Sequence, residues 1–455
     1  MQATDTIVAL STPPGRSGIG VIRMSGDQSL PFLKKLLRDD AYEPESHRVH
    51  LKKIYDPESG DVLDSVLVTY FKSPHSFTGE DIVEVSCHGS PPLLLRVIDA
   101  LLQLGARAAD PGEFTMRALS NGRLNLGQAE AVRDLIEAQT LTAVQQAARQ
   151  LGGELSARLQ PIKDRLLDIV VPLESALEFV EDDLPEDITS RVAQNLAELT
   201  RQLEDLAATF RSGRLLKEGL RVTLVGRPNV GKSSVFNSLL VKDRAIVTDV
   251  PGTTRDSLGE VINIDGVPVL LTDTAGVRTS PDRIERLGIE RTHQAIVDAD
   301  LVLVVLDGSE PHTEDDREVL AKAAQTRYLI ALNKSDLESY SFEHLPDTCD
   351  RTRVVVVSAK TGAGIKALRD AIVEPFKIKT VDDSDFLITN ARHYDLLRRA
   401  ADSLRRSNEL IQRRTSEELS LTGLYDALRF LGEITGETTP EDVLTQIFST
   451  FCIGK

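Results

Sequence analysis

The chain has 455 residues, which by the usual size of a domain is enough for about three domains. Its 53 Lys and Arg residues against 70 Asp and Glu residues give a net charge of −17, which argues against a protein that coats nucleic acid with its whole surface. The three widely spaced cysteines exclude a disulfide framework, and the polar start and strand-length apolar runs indicate neither a signal peptide nor a membrane span, so we expect a cytoplasmic protein.

The first segment, residues 1–120, mixes strands with a helix. Four strands are predicted at 6–10, 20–24, 64–71 and 81–87. Apolar residues at helical spacing predict a helix over 91–104. Strands interleaved with a helix predict a compact α+β domain.

In the rest of the chain, the spacing of the apolar residues changes twice. Residues 121–218 and 379–455 carry apolar residues at helical spacing, whereas residues 219–378 alternate strand and helix, which predicts a mostly parallel sheet. Neither helical segment alone could bury its apolar faces, so we favour an α/β domain inserted into one helical domain over three sequential domains. The strands predicted in the α/β domain are 221–225, 260–264, 267–272, 301–307, 328–332 and 353–357, with a hairpin at Asp265-Gly266.

A phosphate-binding loop follows the first of these six strands. Gly226, Gly231, Lys232 and Ser233 fit the pattern G-x-x-x-x-G-K-[ST], whose glycines let the backbone wrap a polyphosphate. We expect Lys232 to reach the β- and γ-phosphates and the Ser233 hydroxyl to hold Mg²⁺. Asn229, in the middle of the loop, is either a turn former or an amide ligand for a cation, and the residues alone leave both interpretations open.

Three more motifs follow in the order of a GTP-binding domain, each at the end of a predicted strand. The stretch 273–276, DTAG, offers a carboxylate for the Mg²⁺ shell and an amide for the γ-phosphate. In the stretch 333–336, NKSD, Asp336 can accept the N1–H and N2–H₂ pair of guanine, which adenine lacks. The stretch 358–360, SAK, suits backbone contact with the base. Together the motifs predict that the chain binds GTP.

The residue that orients the attacking water is not evident from these motifs. Val277 stands where many small GTPases place a glutamine for this purpose, and valine has no hydrogen-bonding group. The candidates by proximity are Arg278, Asp282, Arg283 and Glu285. In the segment before Asp273, Thr253 or Thr254 of the stretch GTTRD could complete the Mg²⁺ shell from a mobile switch loop.

The order of the P-loop, GTTRD, DTAG, NKSD and SAK is similar to that of the TrmE-Era-EngA-like bacterial GTPases. The stretches TIVALSTPPGRSGIGVIRMSG, SFTGEDIVEVSCHG, LSNGRLNLGQAEAVRDLI and FCIGK more specifically resemble the MnmE (TrmE) family of tRNA modification GTPases, over essentially the whole chain. The resemblance implies an N-terminal α+β domain (1–120) for tetrahydrofolate binding and dimerisation. It also implies an α/β P-loop G domain (219–378) inserted into an all-α helical domain (121–218 and 379–455) that ends in CIGK.

The resemblance also implies a reaction. Members of the family hydrolyse GTP and, with the FAD-dependent flavoprotein MnmG (GidA) in a heterotetramer-type complex, add an aminomethyl or carboxymethylaminomethyl group at C5 of the wobble uridine of certain tRNAs. The one-carbon unit comes from 5-formyl- or 5,10-methylene-tetrahydrofolate. The family forms homodimers, and K⁺-dependent pairing of the G domains drives hydrolysis. FAD would belong to the partner and not to this chain.

The same resemblance implies roles for single residues. Glu285 would orient the catalytic water, and Cys452 would lie near the one-carbon chemistry, either as a catalytic thiol or as a buried small apolar side chain. K⁺ would be held by Asn229, Thr248, Val250 and Thr253, Mg²⁺ by Ser233 and Thr254, and the folate by Arg23, Glu84, Arg123 and Lys455. The implied GTP contacts are Asn229, Val230, Gly231, Lys232, Ser233, Ser234, Thr248, Asp249, Val250, Pro251, Gly252, Thr253, Thr254, Asp273, Thr274, Ala275, Gly276, Asn333, Lys334, Asp336, Ser358, Ala359 and Lys360.

One alternative function and one further surface stay open. A GTP-switched ribosome-assembly or RNA-binding GTPase without modification activity would share the nucleotide motifs but would not bind a tetrahydrofolate. Arginine pairs at 398–399, 405–406 and 413–414 repeat at near-heptad spacing along one helix face. They are either a solvated face or a stripe that docks tRNA or a partner.

Overall fold

The computed structural model describes residues 5–179, 186–240, 259–273, 296–347, 349–376, 386–413, 417–437, 444 and 447–454. The chain divides into two compact units. The first contains Met1–Arg133, Gln150–Glu181 and Leu421–Lys455, and the second contains Asp134–Arg149 and Asp182–Ser420.

The first unit is built on a six-stranded sheet. Its strands are β1 (Ile7–Leu10), β2 (Ser17–Ser25), β3 (Val49–Tyr55), β4 (Val62–Phe71), β5 (Ile82–Gly89) and β6 (Arg107–Ala108). Their order is β3-β4-β5-β2-β1-β6, and only the β1–β6 pairing is parallel. The predicted α+β character of this segment is therefore confirmed.

One face of this sheet is covered by helices, and the opposite face is exposed on β3 and β4, although Ile7 and Ala9 of β1 are buried there. The helices α1 (Ser29–Leu37) and α2 (Pro91–Gln103) pack on the alternate residues Val66, Val68, Val83 and Val85, which are buried. On the opposite face, Leu51 of β3 lies directly across from Leu67 of β4. Their side chains are 72% and 44% exposed, as is typical of a surface that another molecule covers.

Further helices follow in the chain. They are α3 (Glu113–Ser120), α4 (Leu126–Glu137), α5 (Leu141–Leu151), α6 (Glu154–Phe179), α7 (Glu186–Ala208) and α8 (Phe210–Glu218). Near the C-terminus, Phe448 and Phe451 pack on Ala129 of α4. The close fit at Gly112 shows how tightly this segment is held, since a Cβ there would lie 2.9 Å from the Phe451 Cβ.

The second unit contains the predicted α/β domain. Its strands are β7 (Leu220–Val225), β8 (Gly259–Ile264), β9 (Val267–Asp273), β10 (Leu301–Asp307), β11 (Tyr328–Asn333) and β12 (Val354–Val356), in the order β12-β11-β10-β7-β9-β8. The β8–β9 hairpin is antiparallel and the other pairings are parallel. The helices α9 (Lys232–Leu240), α10 (Glu314–Ala323) and α11 (Ile365–Val373) connect and cover the strands. Because β7 lies between β9 and β10, the loop after β7 is at the switch point where such sheets bind ligands.

Helices from both sides of the α/β domain pack together in the same unit. Leu196, Leu199 and Leu203 of α7 are buried, as are Leu397 and Leu404 of α12 (Ala391–Arg413), which contacts α7. The helix α13 (Glu417–Thr435) follows α12 in the chain. The chain thus interrupts a helical domain with a G domain, as predicted. Within the described residues, no helix combines the length and the apolar character that crossing a membrane requires.

Candidate functional site

The loop between β7 and α9 has the backbone that a phosphate cradle needs. Gly226 and Gly231 have φ angles of +154° and +94°, in the region that favours glycine. A Cβ at Gly226 would lie 2.4 Å from the carbonyl oxygen of Val305, and one at Gly231 would lie 2.3 Å from Asn333 Nδ2. Both positions therefore require glycine for conformation and for space.

Lys232 and Ser233 begin α9 at the mouth of this loop. Lys232 Nζ donates to the carbonyl oxygens of Gly226 and Arg227, both at 2.8 Å, so its ammonium group already lies inside the loop. Ser233 Oγ donates to Asp273 Oδ2 at 3.1 Å, at the end of the neighbouring strand β9. A hydroxyl and a carboxylate in contact are the hard oxygen ligands that Mg²⁺ prefers, so this pair fits the predicted metal.

Asn229 is exposed in the same loop with a left-handed backbone, at φ = +66°. Asparagine tolerates this conformation better than other residues with a Cβ. The geometry is therefore consistent with both interpretations of Asn229, the turn former and the cation ligand.

The other two nucleotide motifs are joined to the phosphate loop by one buried amide. Asn333 Nδ2 donates to the carbonyl oxygen of Val230 at 3.0 Å, and its Oδ1 accepts from the Ala359 N–H at 3.0 Å. Only 3% of Asn333 is exposed. The three loops after β7, β11 and β12 therefore meet at one place.

Asp336 lies in this base-binding region. The Ser358 hydroxyl donates to Asp336 Oδ1 at 2.7 Å and holds the pKa of this carboxyl below its ordinary value. Asp336 is therefore an anion at neutral pH and can accept a donor pair. Next to it, Lys334 pairs with Asp307; burial acts to raise the pKa of Asp307, but the hydrogen bonds from Lys334 and Ser309 outweigh it and lower this pKa.

The predicted folate residues Arg23 and Glu84 lie on the face of the N-terminal sheet that is opposite α1 and α2. They are direct register partners on β2 and β5, and Arg23 donates from Nε and Nη2 to Glu84 Oε1 at 2.9 and 2.7 Å. The Arg23 guanidinium also lies 5.9 and 5.8 Å from the ring centres of Phe77 and Phe114. The pair is half-buried, with aromatic surface beside it.

Arg123 and the C-terminal segment belong to the same unit. Arg123 Nε donates to the carbonyl oxygen of Ser76 at 3.1 Å, in the loop between β4 and β5. The Ser11 hydroxyl donates to the Gly454 carbonyl at 3.2 Å, which brings the C-terminus to the loop that leads into β2. The prediction that Cys452 could be a buried apolar side chain is wrong, because Cys452 is exposed. Phe448 and Phe451 supply the apolar contacts of this segment instead.

Several predicted site residues lie outside the described residues. These are Thr248, Asp249, Val250, Pro251, Gly252, Thr253, Thr254, Thr274, Ala275, Gly276, Glu285 and Lys455. Their assignments stay predictions.

Sequence reasoning missed one group beside the phosphate loop. Arg227 Nε pairs with Asp316 Oδ2 at 3.2 Å, and its Nη2 pairs with Glu310 Oε2 at 3.1 Å. The partners are more than eighty residues away in the chain, so no local spacing could reveal them. The only signal was an arginine inside a loop that binds anions.

Comparisons with known proteins cover the whole chain. Two family models match: "GTP-binding protein TrmE N-terminus" over residues 6–123 and "MnmE helical domain" over residues 126–452. Relatives called tRNA modification GTPase MnmE include those of Koribacter versatilis (46% identical), Aquifex aeolicus (41%) and Acetivibrio thermocellus (39%). The alignments cover 99–100% of this chain and 100% of each relative.

Similar solved structures include the G domain of the T. maritima FeoB iron transporter, at 28% identity and a TM-score of 0.25, covering 35% of this chain and 99% of that one. Aquifex aeolicus Era is similar at 23% identity and a TM-score of 0.27, covering 40% of this chain and 66% of that one. At such low TM-scores these two likenesses carry no argument. On its two family models and full-length relatives, the chain belongs to the MnmE (TrmE) family of tRNA modification GTPases.

Proposed function

We infer that the chain is a GTP hydrolase that acts in tRNA modification. The observation that carries this inference is the meeting of Lys232, Ser233, Asp273 and Asp336 at the carboxyl edge of one parallel sheet, joined through buried Asn333. Lys232 and the loop amides bind the phosphates, Ser233 and Asp273 provide oxygens for Mg²⁺, and Asp336 reads guanine. Mg²⁺, when bound, supplies charge stabilisation at the phosphates.

We propose that the N-terminal domain binds a tetrahydrofolate at Arg23 and Glu84. A pterin presents an N–H and NH₂ donor pair, and a carboxylate such as Glu84 accepts this pair as Asp336 accepts guanine. The rings of Phe77 and Phe114 beside Arg23 provide flat surface for a heterocycle. We propose that Arg123 and Lys455 add positive charge for the folate carboxylates.

Folate binding is the experiment that separates this proposal from the alternative of a ribosome-assembly or RNA-binding GTPase. We expect the purified protein to bind 5-formyl-tetrahydrofolate in calorimetry, and Glu84→Gln to weaken binding at least tenfold. GTP turnover by Glu84→Gln serves as the control and should not change. A protein with full GTPase activity and no affinity for any tetrahydrofolate would favour the alternative.

We propose that K⁺ completes the phosphate site through Asn229, with backbone oxygens of Thr248, Val250 and Thr253. A cation near the β- and γ-phosphates stabilises the charge that develops during hydrolysis, a task that an arginine performs in other GTPases. The arginine within the loop, Arg227, is engaged by two carboxylates, which supports a separate cation. We expect GTP turnover to be faster in K⁺ than in Na⁺ at equal ionic strength, and Asn229→Ala to abolish the difference. Equal rates for the unmodified protein would defeat the proposal.

We propose that Glu285 orients the attacking water, since Val277 offers no hydrogen-bonding group. Glu285→Ala should slow hydrolysis by about a hundredfold and leave GTP affinity within about twofold. Asp282→Ala is the matched control, because Asp282 is another carboxylate in the same stretch. Slow hydrolysis in the Asp282 variant alone would move the role to that residue.

We propose that the product is a C5-substituted wobble uridine, made by a homodimer of this chain in the cytoplasm together with the flavoprotein MnmG, which brings FAD. Comparison of tRNA nucleosides in cells with and without this protein tests the product directly. Loss of aminomethyl- and carboxymethylaminomethyl-uridine is the expected result, and an unchanged nucleoside profile contradicts it.

Cys452 is exposed and thus accessible to a one-carbon unit. Cys452→Ser should reduce modification and leave GTP turnover intact if the thiol takes part.

A further inference from the structure

The guanidinium of Arg227 anchors the phosphate loop to a helix that the nucleotide motifs do not include. Arg227 pairs with Asp316 of α10 and with Glu310 in the segment before it, at 3.2 and 3.1 Å. The Asp316 side chain is 4% exposed and that of Arg227 is 17% exposed, so water screens this contact only weakly. The ion pair therefore fixes Arg227 more firmly than a surface pair would.

Asp316 is itself held in place by the helix. Its Oδ2 accepts from the backbone N–H and the hydroxyl of Thr313, both at 2.9 Å, and its own N–H donates to the Thr313 hydroxyl. This reciprocal arrangement is a capping box at the start of α10. Arg227 is thus bound to an acceptor that cannot rotate freely.

The backbone connects the anchored Arg227 to Asn229 through a single residue, Pro228. Pro228 has a φ angle locked by its ring, and it also restricts the residue before it, Arg227, to extended conformations. Asn229 follows in the left-handed region. The tripeptide backbone therefore has little freedom of its own, and where Arg227 is fixed, the backbone position of Asn229 is restricted too.

A second anchor acts on Arg227 from the main chain. Lys232 Nζ donates to the carbonyl oxygen of Arg227 at 2.8 Å. When GTP binds, Lys232 is expected to turn its ammonium group to the phosphates. The contacts with Asp316 and Glu310 then hold the loop at Arg227, while Asn333 Nδ2 holds it at the Val230 carbonyl.

We propose that Arg227 is a positioning residue that, through Asp316, holds Asn229 in the orientation required for the activating cation. This inference rests on the proposed K⁺ site. Arg227 contacts neither the cation nor the reacting phosphate. Its removal changes the cation concentration that hydrolysis requires.

The test is a K⁺ titration of GTP turnover by the full chain at constant ionic strength. Arg227→Gln and Asp316→Asn should each raise the K⁺ concentration for half-maximal turnover about tenfold, which corresponds to about 1.4 kcal/mol. The double variant should resemble either single one, because both changes remove the same contact. Arg227→Lys keeps the charge and should recover part of the loss. GDP affinity in K⁺-free buffer should stay within about twofold.

Arg317→Gln is the matched control, because Arg317 is on the same helix but pairs with Glu314, which is 85% exposed. We expect its K⁺ titration to coincide with that of the unmodified protein. If the unmodified protein shows no preference for K⁺ over Na⁺, the proposed K⁺ site fails. If that preference is present but Arg227→Gln and Asp316→Asn keep the normal half-maximal concentration, the positioning role is overturned. A lower unfolding temperature without a change in the K⁺ requirement overturns it as well, because the ion pair would then serve stability alone.

Discussion

At the scale of single residues, the candidate site depends on a few side chains, and the hydrogen bonds of each side chain leave it one role in the site. Asp336 accepts from Ser358 through Oδ1, and a carboxylate has further lone pairs to accept from a ligand. The side-chain amide of Asn333 donates to the loop after β7 and accepts from the loop after β12, so it joins these two loops. The motif spacing predicted which residues meet, because each motif follows a strand of the same parallel sheet. The motif spacing could not predict the ion pair between Arg227 and Asp316, since that contact depends on how α10 packs.

Asp336→Asn should change which base the site prefers. The amide of asparagine can donate to the carbonyl that xanthine carries at C2, but it no longer accepts both donors of guanine. We expect GTP affinity to fall at least tenfold and xanthosine triphosphate affinity to rise, measured by competition against a fluorescent nucleotide.

Asp350→Asn is the control for this exchange. Asp350 also accepts from a neighbouring hydroxyl, that of Thr352, but it lies in a different segment from the nucleotide motifs. Its variant should keep the preference of the unmodified protein. If Asp336→Asn also keeps that preference, Asp336 does not read the base.

The cysteines should differ in their reaction with iodoacetamide at pH 8. Burial raises the pKa of Cys87 to about 12, so about one thiol in ten thousand is a thiolate at this pH. Burial also raises the pKa of Cys349. Since Cys452 is exposed, we expect mass spectrometry of the native protein to find it modified first, and Cys87 only after denaturation. Early modification of Cys87 would contradict the buried position on β5.

At the scale of elements, the sequence predicted strands better than helices. The strand 301–307 was predicted with the observed bounds, because every residue of LVLVVLD is buried and the period is unbroken. The helices α1 and α3 were missed. Both are short, with nine residues in α1 and eight in α3, so their apolar spacing gives a weak signal. The edge strand β3 was missed because its sequence, VHLKKIY, carries charges on a partly exposed surface.

The capping box of α10 gives a prediction for this element. Thr313→Ala removes the acceptor for the Asp316 N–H, and loss of such a cap costs about 1 kcal/mol. We expect the first amides of α10 to exchange with deuterium about fivefold faster. Thr326→Ala is the control, because its hydroxyl donates to the Ala323 carbonyl at the other end of the helix. Equal exchange in both variants would show that the cap adds no local stability.

At the scale of the whole molecule, the helical segments on either side of the G domain belong together. The prediction followed from the apolar faces of residues 121–218 and 379–455, which needed each other to be buried, and α7 packs against α12 accordingly. The arginine pairs on α12 are not a purely basic stripe. Arg405 pairs with Glu204 and Asp402, and Arg399 with Asp395, so acidic residues accompany them. The helical spacing in the sequence predicted where these arginines lie, but it did not predict that Arg405 pairs with Glu204 of α7.

The exposed apolar surface on β3 and β4 predicts how the proposed homodimer forms. Leu51→Asp together with Leu67→Asp places two charges on the exposed apolar surface, so we expect the dimer to dissociate in sedimentation velocity. Leu95→Asp is the matched control, because Leu95 is 62% exposed on α2, which covers the opposite face of the sheet. A dimer that survives the double change and is lost in the control would place the interface elsewhere.

The C-terminal segment has a consequence for how the protein is made. Phe448 and Phe451 pack beside Ala129 and Gly112, and the Gly454 carbonyl accepts from Ser11, so residues synthesised late complete contacts with residues synthesised early. Domains generally fold in the order in which they are synthesised. Here the N-terminal part must wait through more than three hundred further residues for its last contacts. A chain that terminates before Phe448 therefore lacks the contacts with Ser11, Gly112 and Ala129, whatever else it has folded.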